Sequence, residues 1–69
     1  MITIIKIDFK NGQKRKIERV ENYEYEGDFL KVTRTIYELD GVWGIGTSIS
    51  MIKLDEVSEI KIETLRYKD

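Results

Sequence analysis

The chemistry open to this chain is narrow. It has no histidine and no cysteine, so proton transfer or nucleophilic attack would fall to carboxylates, lysines, tyrosines or hydroxyls. Ser48 and Ser50 are two residues apart with no base identifiable beside them. That spacing describes a solvated strand face better than a nucleophile. Glu24 and Glu26 could in principle divide the roles of general acid and base. A domain this small offers no evident cleft to push one carboxyl pKa up. The stretch from Asp40 to Gly44 lacks the spaced oxygen ligands of a calcium loop. No catalytic residue, metal ligand or cofactor is assigned, and a non-enzyme is expected.

One stretch resembles a phosphate cradle: GVWGIGTSISM, residues 41–51. A cradle needs a loop that runs into a helix N-terminus, where free N–H groups point at the anion. Here β-forming residues continue through TSISMIKL and no Gly-Lys-Ser/Thr follows. Gly44 and Gly46 are therefore expected inside a strand, as bare positions that mark a bend or a close approach.

The elements that would hold these residues are strands. The chain has 69 residues, enough for one domain spanning 1–69 and too few for a thick core. With no cysteine and no histidine, disulfide and metal staples are not expected, which leaves oligomerisation, and a homodimer or higher assembly is expected. Three turn signals containing glycine, at 10–12, 26–28 and 40–41, punctuate β-branched and aromatic runs. No window shows helical periodicity. The expected fold is all-β: five antiparallel strands near 2–9, 13–20, 29–39, 42–54 and 59–67, in a meander curled into a small barrel or sheet, with little or no helix.

A two-residue type I′ turn at Asp40-Gly41 would pair Leu39 with Val42. Counting outward sets Glu38 opposite Trp43, Ile36 opposite Ile45, Arg34 opposite Thr47, Val32 opposite Ile49 and Leu30 opposite Met51. Tyr37 then crosses Gly44, Thr35 crosses Gly46, and Trp43 lids the core. In the first hairpin a three-residue loop with Gly12 left-handed sets Ile5 opposite Ile17 and Ile2 opposite Val20. Leu54 with Ile60 and Ile52 with Ile62 would join the last two strands. Ile52 and Leu54 alternate out of phase with Ile49 and Met51. Either a bulge near Met51 re-aims the strand or a partner covers the second face.

Charged residues make up 36% of the chain while the net charge is −1. Lys10, Lys14, Arg15, Lys16 and Arg19 cluster around the first hairpin; Glu21, Glu24, Glu26 and Asp28 follow, and Asp55, Glu56 and Glu59 surround the last turn. In an up-and-down meander the acidic connections share one end and the basic hairpin the other. Such an end could steer an oppositely charged partner, with Tyr23 and Tyr25, interleaved with the carboxylates, supplying contact area. The rival use of these charges is solvation and edge protection. No apolar run approaches the ~18 residues of a membrane helix, and the absence of cysteine suits a reducing cytoplasm.

The hydrophobic rhythm IKIDFKNG…IERV, then LKV, then IKLDEVSEIKI resembles short, proline-free β proteins of bacteriophages and mobile elements, some of which are anti-CRISPR-like inhibitors of host defence. The resemblance implies an accessory or inhibitor protein in the host cytoplasm that binds a host protein, here through the acidic end. Two other classes compete. One is a small-barrel nucleic-acid binder using the basic hairpin. The other is an oligomeric sponge for a small ligand such as a signal nucleotide.

Overall fold

Residues 1–66 are described by the computed structural model. Among these residues six strands form: β1 (Ile2–Phe9), β2 (Lys14–Ile17), β3 (Val20–Glu26), β4 (Phe29–Leu39), β5 (Val42–Lys53) and β6 (Val57–Leu65). A single 3-10 turn, Leu54–Glu56, links β5 to β6. The all-β class holds. The strands number six rather than five, and they lie in two antiparallel sheets, ordered β2-β1-β6 and β3-β4-β5, rather than in a closed barrel. The last position of the expected final strand, Tyr67, lies outside the described residues.

The extra strand comes from a break at Glu18-Arg19. Arg19 takes φ 55, a left-handed conformation that a strand cannot propagate through. The expected second strand therefore ends at Ile17, and Val20 opens β3 in the other sheet, opposite Arg34 rather than Ile2. The first hairpin otherwise follows expectation. Gly12 has φ 88 and Ile5 pairs with Ile17. Its loop is closed by the Gly12 amide on the Phe9 carbonyl at 3.0 Å.

The final pairing differs. Ile60 and Ile62 sit opposite Ile7 and Ile5 of β1, not opposite Leu54 and Ile52. The 3-10 turn carries the chain from one sheet to the other, so β6 can flank the two most buried isoleucines of the molecule. Ile5, Ile7 and Ile17 from one sheet meet Val20, Leu30, Val32 and Ile52 from the other, with Phe9, Leu54, Val57 and Ile60 packed around them. Removing each such side chain from water is worth about 1.5–3 kcal/mol, and this small set is what holds the sheets together.

The Asp40-Gly41 turn has φ 52 and 80, as a type I′ turn requires, and Leu39 pairs with Val42 and Glu38 with Trp43. The expected register then fails by one residue. Between Glu38 and Ile36 the strands slip, so Gly44 and Ile45 together oppose Tyr37. This is a bulge, placed near the tip and not near Met51. Below it Ile36 faces Gly46, Arg34 faces Ser48, Val32 faces Ser50 and Leu30 faces Ile52. The side chain that lies over a bare glycine is Ile36 over Gly46, where an added Cβ would stand 3.5 Å from Ile36 Cγ1. The shift has a physical cause: it seats Ile52 beside Leu30 in the core, where the unslipped register would seat Met51.

Candidate functional site

The acidic residues do not form one pole. Lys10 N–H donates to the Glu56 carbonyl at 2.9 Å and Leu54 N–H to the Asp28 carbonyl at 2.8 Å. The 3-10 turn thus draws the 10–13 turn, Asp28, Asp55 and Glu56 to the same end, and the 40–41 turn stands at the far tip of the β4–β5 hairpin. The expected separation of an acidic end from a basic end is absent because β6 returns to β1 instead of extending a meander. Residues 21–26, expected within the 21–28 connection, belong to strand β3, and its alternation splits the tyrosines from the carboxylates. Tyr23 and Tyr25 pair with buried Val32 and Leu30 on the inner face, both remaining exposed at the margin. Glu24 and Glu26 face the other way, opposite Lys31 and Phe29, with Lys31 Nζ 4.0 Å from Glu26. Glu21 Oε1 accepts a hydrogen bond from Thr35 Oγ1. Asp55 lies 3.8 Å from Lys53 and Glu59 lies 3.9 Å from Lys61.

The basic residues are divided as well. Arg15 pairs with buried Ile7 and reaches across to the other sheet, donating to Ser50 Oγ at 3.3 Å. Lys10 belongs to the turn and Arg19 to the break near the other end. Lys14 and Lys16 face outward from β2, alongside Lys6 of β1 and Lys61 of β6. Each of these four lysines has a carboxylate close by: Lys6 to Glu63 at 3.1 Å, Lys14 to Asp8 at 3.8 Å, Lys16 to Glu18 at 3.0 Å and Lys61 to Glu59 at 3.9 Å. The hydrogen bond and charge of Lys16, helped by Arg19 and Arg34, hold the exposed Glu18 carboxyl below its usual range. On the outer face of this sheet Lys16, Lys6 and Lys61 stand side by side in one cross-strand row, with the carboxylates of Asp8, Glu18, Glu59 and Glu63 within salt-bridge distance of the four lysines.

The residues that stand out lie outside the expected partner-binding set, on the β4–β5 hairpin. β3 pairs with β4 only as far as Arg34. Beyond that point, residues 35–46 form a two-stranded arm. Arg34 marks the boundary: it follows Leu30 and Val32 on the inner face, and its buried Nε has no hydrogen-bond partner among the described residues. Trp43, expected as a core lid, is 78% exposed on this arm, and Ile45 is 85% exposed. Leu39 and Val42 are also exposed, and the apolar side chains continue down the outer face of β5 through Ile49 and Met51. A shallow hollow of about 390 Å³ runs between the arm's strands, lined chiefly by Ile36, Leu39, Val42 and Ile45.

β5 is also an edge: among the described residues its one strand neighbour is β4. From Val42 to Ile52 it carries no charge, in a chain where more than a third of residues are charged. That run was the signal available in the sequence. The out-of-phase alternation was the other, since Ile49 and Met51 point outward while Ile52 points into the core. Among the described residues no helix is long and apolar enough to cross a membrane. Comparison with protein-family models, with curated proteins and with solved structures finds no match.

Proposed function

We propose that the chain is a non-enzymatic interaction module that docks on protein through the β4–β5 hairpin. The observation that carries this reading is the arm of residues 35–46, which projects Leu39, Val42, Trp43 and Ile45 into solvent beyond the reach of β3. A two-stranded ribbon is marginal in water on its own. Exposed aromatic and branched side chains next to an uncharged edge form the kind of surface that association covers. The phage-accessory resemblance fits binding without catalysis. The docking surface moves, however, from the carboxylates to the apolar hairpin. The acidic residues are dispersed among lysines, and the outer lysines are matched by carboxylates. Both arrangements solvate a surface more than they build a steering field.

The test compares capture from a lysate of the host cell by wild-type protein, by the arm variant Trp43→Ala/Ile45→Ala, and by the charge reversal Glu24→Lys/Glu26→Lys/Asp28→Lys. Circular dichroism checks that each variant is folded. Loss of the captured protein in the arm variant, with retention in the charge reversal, is the expected result. The opposite pattern would return the function to the acidic residues.

A further inference from the structure

We infer that the β5 edge is occupied by β5 of a second copy, paired antiparallel about a twofold axis through Thr47. This rests on the reading of the β4–β5 hairpin as a docking surface and names what covers its edge.

Geometry restricts the register first. From Gly46 to Ile52 the side chains of β5 alternate between half-buried or buried even positions and exposed odd positions. A twofold axis normal to the sheet keeps outer faces together, so odd residues must meet odd residues. The uncharged run from Val42 to Ile52 is centred on Thr47. With Thr47 on the axis, Ile45 lies opposite Ile49 of the second copy and Gly46 lies opposite Ser48. β-branched pairs of this kind are favourable across antiparallel strands, and no like charges meet anywhere along the run. At both ends Lys53 arrives beside the Asp40-Gly41 turn of the other copy, which sets opposite charges together.

The pairing also supplies what the arm lacks. Its β5 residues Ile45 and Gly46 fall alongside Ile49 and Ser48 of the second copy, and the tip beyond the Gly44-Ile45 bulge lies beside residues 50–53, where that copy's β4 and β3 continue the sheet. The two hairpins then merge into one six-stranded sheet, and each arm gains a third strand. The edges β3 and β6 do not offer the same fit: β3 carries Glu21, Glu24 and Glu26. β6 would lay Glu59, Lys61 and Glu63 beside the apolar run of β5.

The experiment uses the purified full chain. Sedimentation velocity over a wide concentration range is expected to show a dimer. Thr47→Lys and Thr47→Glu each put like charges on the axis, and each is expected to sediment as a folded monomer. Mixing the two is expected to restore a dimer, because Lys then faces Glu, and this rescue excludes simple misfolding. Thr47→Cys is expected to oxidise to a disulfide-linked dimer, while Lys61→Cys on β6 is not. A monomer at every concentration, an undiminished dimer in both Thr47 variants, or cross-linking through Lys61→Cys would each overturn the proposal. Because no lysate is involved, a monomeric result would leave arm-dependent capture standing. A dimer whose arm variants still capture the lysate protein would overturn only the broader docking reading.

Discussion

β5 and β6 follow one another in the chain, and both are sheet edges, but they show solvent different things. β6 places Glu59, Lys61 and Glu63 on its outer face and matches two of its own charges to each other. A strand so dressed resists a new neighbour, because pairing would strip water from charges that the incoming strand cannot replace. β5 presents eleven uncharged positions, Val42 to Ile52, with exposed Ile45, Ile49 and Met51 among them. The lesson is that a free edge is not by itself a binding site. Two edges on the same domain differ in the desolvation cost of being covered, and that difference assigns one to solvent and the other to a partner.

The largest effect is expected from making the two edges alike. Substituting Glu59, Lys61 and Glu63 together with threonine gives β6 an uncharged, β-forming outer face. Each subunit would then carry two adhesive edges, and a closed pair would become an open-ended assembly. Light scattering is expected to show mass growing with concentration. If the mass stays that of the wild type, charge is not what protects β6, and the contrast between the edges loses its cause.

Much of this was legible in the residues, and the failures have specific causes. Asp40-Gly41 and Lys10-Asn11-Gly12 announced their turns because left-handed positions strongly favour glycine and tolerate asparagine or aspartate. The strand at Arg19 was read as continuous, since nothing in arginine's side chain signals φ 55; tertiary packing of Val20 into the second sheet imposes it. The one-residue slip at Gly44-Ile45 was invisible to a count outward from the turn. It is decided by which of Met51 and Ile52 enters the core beside Leu30, a long-range choice. The partner of β6 is hidden from the sequence for a similar reason. Ile60 and Ile62 match Leu54 and Ile52 as well as they match Ile7 and Ile5 by polarity, and only the three-dimensional path of the 3-10 turn separates the two. For the site, the charged clusters drew attention because charge is conspicuous, while the informative feature was a stretch without any.

A second comparison separates the body from the arm by stability. Leu30 is fully buried against Ile52 and Val32. Leu30→Ala is expected to cost about 2–5 kcal/mol, from lost burial and the cavity left behind. Ile45 is mostly exposed, so Ile45→Ala in the dilute monomer is expected to change stability by about 0.5 kcal/mol or less. Urea denaturation measures both, and hydrogen exchange would place the weakness in residues 35–46. Similar losses at the two sites would mean that the arm is as well packed as the body and has no need of a third strand.

The smallest effect concerns protons and again contrasts the two sheets. Glu18 is exposed, and its carboxyl is lowered from 4.5 chiefly by the hydrogen bond and charge of Lys16. A carboxyl lowered in the folded state favours folding above the unfolded value, and the contribution disappears as pH falls through the lower folded value. At such exposure the contribution is slight and salt screens it. Thermal melts of wild type and Glu18→Gln are therefore expected to coincide in strong acid and to separate slightly above the ordinary carboxylate range, with the gap closing in high salt. The β5 edge carries no titratable side chain between Val42 and Ile52, so association through it is expected to hold steady across the neutral range. An association that weakens at neutral pH in step with ionic strength would point to the charged face of β1, β2 and β6 as the true contact, and would reverse the assignment of the two edges.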